Sequence, residues 1–232
     1  MPGDRPSVTV IVPVYNGERF LAEALTSICQ QDYEPLDVLV VDDGSTDGSA
    51  AVGAEFPAVQ VLRKLHSGLA ATLNHGIRHA SAELLAFLDA DDRWLSGKLA
   101  RQVSEFQQRP ELDMVFGHVQ QFTVCCDATG AREIFSTPQP GYTKITLLAR
   151  RTTFAHLGEF DETGDRHTFL EWYARAQQAK LQVVMVPEVL AERRIHETNY
   201  GLTNPTEQRR KYLSTLRAVI QQQRLDPTVA GD

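Results

Sequence analysis

The chain has few cysteines, no long apolar run and no excess of positive charge, and each lack closes a class of function. Three cysteines in 232 residues cannot build the disulfide framework of a small secreted scaffold. Cys125 and Cys126 are neighbours that do not readily bridge each other, and Cys29 falls in a helical pattern. Reduced thiols in a cytoplasmic protein are therefore expected. No stretch approaches the ~20 apolar residues that cross a bilayer. Met1-Pro2-Gly3-Asp4-Arg5-Pro6 leads straight into a strand-like run without a signal-peptide pattern, so no transmembrane segment is expected. A formal net charge of −7 lacks the basic face that phosphate backbones require, which argues against nucleic acid as a partner.

What is present is a regular alternation. Val8-Thr9-Val10-Ile11-Val12-Pro13-Val14 reads as a buried strand, and Phe20, Leu21, Ala24, Leu25 and Ile28 then recur at helical spacing. Leu36-Asp37-Val38-Leu39-Val40-Val41 is a second buried strand, closed by turn and helix-start chemistry in Asp42-Asp43-Gly44-Ser45-Thr46-Asp47. Residues 59–62 form a short third strand, 67–79 a helix and 84–88 a fourth strand. Short connections between strand and helix predict an α/β fold of mostly parallel strands flanked by helices. Beyond Trp94 the pattern weakens. Helices are expected over 99–106, 169–179 and 206–223, strands over 114–116, 119–124 and 183–186, and a loop or hairpin lid over 127–141. With no internal repeat, 1–232 reads as one domain whose second half, 96–232, continues the first, 1–95.

Parallel sheets bind ligands beyond the carboxyl ends of their strands, and three polar motifs fall there: Pro13-Val14-Tyr15-Asn16, Asp42-Asp43-Gly44-Ser45 and Asp89-Ala90-Asp91-Asp92. The last packs three carboxylates into four positions, a repulsion that a hard divalent cation such as Mg²⁺ or Mn²⁺ relieves. On an extended segment, Asp89 and Asp91 point to one side. Taken alone, the tetrapeptide fits an acidic loop capping the next helix equally well. A calcium loop of the EF-hand type fails, because its glycine and glutamate positions hold Trp94 and Ala100. An aspartate-nucleophile phosphatase of the haloacid dehalogenase type fits poorly, since the motif follows the fourth strand and Arg93 stands where that pattern has Thr.

Together with Leu157-Gly158-Glu159-Phe160-Asp161-Glu162 and Arg193-Arg194-Ile195-His196, these motifs resemble the family 2 glycosyltransferases of GT-A (nucleotide-diphospho-sugar transferase, Rossmann-like) fold. The resemblance covers most of the chain and implies a metal-dependent inverting enzyme with a nucleotide-diphosphate sugar donor, UDP- or dTDP-linked. The acceptor would be a glycan, a lipid-linked glycan or a small molecule. It also implies residue roles. Tyr15 would pack against the base, unless it is a core tyrosine. Pro13 would aim a backbone carbonyl at the base, and Asp43 would accept from the base or ribose, unless it only shapes its turn. His66 would contact the nucleotide. Asp89 would hold the ribose or ligand waters, and Asp91, with Asp89 and His196, would bind Mn²⁺ or Mg²⁺. Asp92 would support them or cap a helix, and Arg193 and Arg194 would pair with the diphosphate.

Two departures stand out. Inverting members carry Glu-Asp ahead of the helix bearing Trp-x-x-Arg, with the Asp as general base. Aligning Trp172-Tyr173-Ala174-Arg175 puts Thr168-Phe169 there. Glu171 and Asp165 are the substitutes on offer, although a helix-orienting carboxylate explains Glu171 as well. Where the family often has Ala-Arg-Asn, this chain has Thr72-Leu73-Asn74, so a phosphate-binding arginine is missing. These losses keep a second reading alive: a catalytically weakened nucleotide-sugar binding protein that partners another transferase. A nucleotidyltransferase, which also sets metal carboxylates on an α/β sheet, is a third.

Overall fold

The apolar runs that end in polar motifs are strands, and they lie side by side. The computed structural model describes residues 5–124, 132–134, 136–163 and 168–196. Asp165, Cys125, Cys126 and the helix expected over 206–223 lie outside the described residues. The first half runs β1 (Val8–Val14), α1 (Glu18–Cys29), β2 (Leu36–Asp42), α2 (Ser49–Ala54), β3 (Val59–Arg63), α3 (Leu69–His79) and β4 (Leu84–Phe87). The second runs β5 (Arg93–Trp94), α4 (Lys98–Gln108), β6 (Met114–Val124), β7 (Arg132–Ile134), β8 (Gln139–Pro140), a 3-10 turn (Lys144–Thr146), β9 (Leu148–Arg150), α5 (Arg151–Leu157), α6 (Thr168–Gln178) and β10 (Val183–Arg194).

The sheet order is β3-β2-β1-β4-β9-β6-β10-β5, with β7 and β8 paired to β6. The strands from β3 to β4 are parallel, as expected. Beyond β4 the sheet is mixed: β9 is antiparallel to β4 and to β6, and β10 is parallel to β6. Successive side chains of a strand face opposite sides, and β1 shows the result. Val8, Val10, Val12 and Val14 join a core with α1 and α4 residues such as Leu21, Leu25, Leu99 and Val103. Ile11 joins the other core with Leu73, Ile77, Phe154 and Trp172. Helices therefore cover both faces, and the ends of β1, β2 and β4 open on one rim.

Three expectations change. The strands foreseen at 114–116 and 119–124 are one strand, β6, because Gly117 interrupts the apolar pattern but not the backbone. A Cβ there would lie 2.3 Å from Leu190 Cδ1, so the glycine lets β10 close on β6. The expected 127–141 loop contributes the short strands β7 and β8. The strand expected at 183–186 runs on to Arg194, which places Arg193 and Arg194 on a strand.

Candidate active site

The turn after β2 is built around two aspartates with different tasks. Asp42 is buried; it accepts from the Ser45 amide at 2.9 Å and pairs with Arg63 Nε at 2.9 Å. It shapes the turn. Asp43 reaches across to the segment before α3, where it accepts from the amides of Ser67 and Gly68, each at 2.9 Å, and from Lys64. His66 Nδ1 lies 2.9 Å from its Oδ2. Burial alone would raise the Asp43 carboxyl, but Lys64 and the two amides outweigh it and hold the carboxyl below its ordinary value. Gly44 has φ +77°, and the His66 amide nitrogen lies 3.0 Å from where its Cβ would be, so only glycine suits this close approach.

Asp43, Pro13, Tyr15 and His66 line one cavity of about 360 Å³, with Glu162 and Thr168 on its far wall. Four of the seven residues that the resemblance assigns to the nucleotide are thus brought together. Tyr15 is not a core tyrosine; it is 50% exposed, and His66 stacks on it with ring centroids 4.2 Å apart. Asn74 fixes the far wall: its amide group exchanges hydrogen bonds with the Phe160 backbone at 2.8 and 2.9 Å and donates to Glu162 Oε1 at 2.9 Å. Leu73, which stands where the family often has arginine, is buried in the core.

The acidic motif is a tight turn rather than an extended segment. The Asp92 amide donates to the Asp89 carbonyl at 3.1 Å, so the carboxylates converge because the chain folds back. One oxygen from each of Asp89, Asp91 and Asp92 lies within 4.8 Å of the others. A small divalent ion with bonds of ~2.1 Å spans at most about 4.2 Å between opposite ligands. The all-oxygen donor set fits the chemistry of Mg²⁺ or Mn²⁺, which Asp89 and Asp91 would hold. Asp92 is fully buried, and its carboxyl is pushed well above the usual carboxylate value by burial and then by the Asp91 and Asp89 charges. It supports the turn by accepting the Arg194 amide at 2.8 Å, which leaves Asp89 and Asp91 as the more available oxygens.

Residues far along the chain complete this group. His196 Nε2 lies 3.0 Å from Asp91 Oδ2, and Lys144 Nζ lies 2.6 Å from Asp89 Oδ2. Alternation on β10 separates the two arginines. Arg193 is exposed and makes no ion pair among the described residues, whereas Arg194 is buried. The Arg194 guanidinium donates to the Asp91 carbonyl at 2.9 Å, pairs with Glu23 of α1, and lies over the rings of Phe20 and Phe122. It braces the acidic turn, and of the two arginines only Arg193 is left exposed.

Residues 9–167, more than half of the chain, match the model of glycosyl transferase family 2. The chain belongs to this family. EpsE of Bacillus subtilis (strain 168) is 32% identical over 157 residues, covering 65% of this chain and 54% of EpsE. The family 2 chain thus spans about half the length of that relative. The mannosyltransferase PcManGT of Pyrobaculum calidifontis, solved with GDP-Man and Mn²⁺, matches with TM-score 0.68 at 23% identity, over 88% of this chain and 61% of PcManGT. S. aureus TarS 1-349 in complex with UDP-GlcNAc matches with TM-score 0.65 at 20% identity, over 84% of this chain and 60% of that one. The fold is the expected GT-A type. Among the described residues no helix is long and apolar enough to cross a membrane.

At the base position the family 2 chain keeps its departure. Thr168 faces the cavity, and Phe169 packs against Phe116 and Tyr173. Glu171 sits half-buried in the first turn of α6. It is not on the cavity wall, which carries Glu162 instead. Lys64 and Lys144 carried no local signal in the sequence, since their partners lie 21 and 55 positions away.

The Asp43 geometry sets a pH-dependent expectation. A carboxyl held below its ordinary 3.8 contributes stability that is present above that value and lost as pH falls through the folded one. Asp43→Asn is therefore expected to be less stable than wild type near neutrality by about 1–3 kcal/mol. The gap should narrow steadily in denaturant melts taken below pH 4, and a gap independent of pH would show that the charge is not the cause.

Proposed function

We propose that this chain transfers a sugar, with inversion, from a UDP- or dTDP-linked donor to an acceptor hydroxyl, using Mn²⁺ or Mg²⁺ held by Asp89, Asp91 and His196. The observation that carries this reading is the convergence of the Asp89, Asp91 and Asp92 oxygens within 4.8 Å, on the same rim as the Tyr15 and Asp43 cavity. When bound there, a divalent cation neutralises the charge that builds on a leaving diphosphate.

The chain's own groups supply the rest. Tyr15 packs against the base, while Pro13, Asp43 and His66 form the wall that receives the nucleoside. Arg193, exposed near the turn, pairs with phosphate oxygens. The acceptor oxygen bonds to the anomeric carbon as the bond to the diphosphate breaks and its electron pair departs with the nucleotide. The hydroxyl proton passes to a carboxylate, which we assign to Glu171, with Asp165 the other acid in reach by sequence. A nucleotide-diphosphate sugar donor is supported by the ligands in two similar solved structures, UDP-GlcNAc on TarS and GDP-Man with Mn²⁺ on PcManGT.

Thr168 and Phe169 at the base position favour a second reading, a nucleotide-sugar binding protein that assists another transferase. One experiment separates the two: incubation with Mn²⁺ and a panel of UDP-, dTDP- and GDP-sugars, followed by thermal stabilisation and slow donor hydrolysis. The expected result is stabilisation and hydrolysis with one donor class. Glu171→Gln is expected to lower turnover at least ~10²-fold while leaving stabilisation intact, the effect of losing a general base. Stabilisation without hydrolysis or transfer supports the binding reading, and no stabilisation with any donor, with or without metal, overturns both.

A further inference from the structure

Tyr142 is one of five large hydrophobic side chains left exposed among the described residues, at 47%. It does not hang free. Its ring stacks on Tyr173, with centroids 5.5 Å apart and planes 27° apart, and Tyr173 in turn lies parallel to Phe169 at 6.2 Å. Behind them the fully buried Phe116 meets Tyr142, Tyr173 and Phe169 at 5.4, 5.4 and 6.2 Å. The backbone is fixed as well: the Gly141 amide donates to the Gly117 carbonyl at 3.1 Å, and Thr143 closes a turn onto the Gly141 carbonyl at 2.8 Å. An exposed aromatic ring braced from behind is pre-organised to receive a flat partner at little entropic cost.

The row is joined to the donor site at both ends. Two residues past Tyr142, Lys144 sits on Asp89. One residue before Phe169, Thr168 lines the nucleotide cavity. We infer that the Tyr142–Tyr173 row is the acceptor subsite and that it takes the pyranose ring of a saccharide, whose C–H face stacks on Tyr142. This rests on the glycosyltransferase reading and narrows its acceptor class.

Chemistry selects the saccharide over a lipid chain. Both tyrosines carry hydroxyls, and the exposed or half-exposed neighbours in sequence include Thr137, Gln139 and Thr143 interleaved with Pro138 and Pro140, with no aliphatic run among them. An acyl chain would instead need a contiguous aliphatic surface. A sugar ring needs one apolar face and polar partners at its edge, the combination that an aromatic with a polar rim provides.

Saturation-transfer NMR with the methyl glycosides of glucose, galactose and N-acetylglucosamine tests the subsite in the presence of UDP and Mn²⁺. Transfer is expected to the ring protons of one apolar face of at least one glycoside. Tyr142→Ala should weaken that binding about tenfold and Tyr142→Phe should retain it. Tyr142→Phe should leave the melting temperature unchanged, Tyr142→Ala should lower it only slightly through lost ring packing, and neither should change the stabilisation by UDP. No transfer to any of the three glycosides overturns the inference, as does binding that survives in Tyr142→Ala or preferential binding of a decanoate chain. A wild-type protein that no nucleotide sugar stabilises would instead remove the glycosyltransferase reading, whatever the glycosides do.

Discussion

Asp91→Asn is expected to lower Mn²⁺-dependent donor turnover by about 10³-fold while leaving the melting temperature in chelator almost unchanged. The substitution preserves volume and the backbone carbonyl that accepts Arg194 Nε at 2.9 Å, so the brace on the turn survives. It removes one charge from a group of three carboxylates within 4.8 Å. The relief of like-charge repulsion offsets the lost contact with His196 at 3.0 Å, and the net change in apo stability is expected within about 1 kcal/mol. Charge stabilisation at a leaving group depends on the oriented cation, and removing one such element costs ~10²–10³-fold or more. Turnover and Mn²⁺ titrations by calorimetry decide the matter together. If Asp91→Asn binds Mn²⁺ as wild type does, Asp91 is not the ligand.

Arg194→Met is expected to act oppositely, destabilising the fold by about 3 kcal/mol, in the range for breaking a buried charge network. Methionine replaces part of the buried stem. It cannot replace the guanidinium contacts to the Asp91 carbonyl and Glu23, nor its place over Phe20 and Phe122. The exposed neighbour provides the control: Arg193→Met should change stability by less than about 0.5 kcal/mol and should weaken donor binding instead. Chemical denaturation of both variants, followed by UDP titration, measures the split. Equal destabilisation of the two would show that β10 does not separate them into a bracing face and a binding face.

That split could not be read from Arg193-Arg194-Ile195-His196 alone, because side depends on whether the segment is loop or strand. The first half was more legible. The buried runs of β1, β2 and β4 each end abruptly in polar residues, and a parallel sheet brings such ends to one rim. Tyr15, Asp43, Asp89 and Asp91 stand at those ends, whereas His66 follows β3 and is named only through the family resemblance. Lys144, Lys64, Glu23 and Tyr142 were not, because each acts on a partner that only the topology brings near. Helix α5 escaped notice for a local reason. Its Arg151-Thr152-Thr153-Phe154 start carries two β-branched threonines, and it is held by burial of Phe154 and by the Arg151 amide on the Glu83 carbonyl at 2.8 Å.

The Lys144–Asp89 contact changes how loading of the turn should be understood. With an ammonium on Asp89 and an imidazole on Asp91, the acidic group has partners of its own. A dication held there would compete with the Lys144 ammonium for Asp89, and Lys144 belongs to the same short segment as Tyr142. Two residues of backbone separate the acidic turn's ammonium partner from the aromatic row.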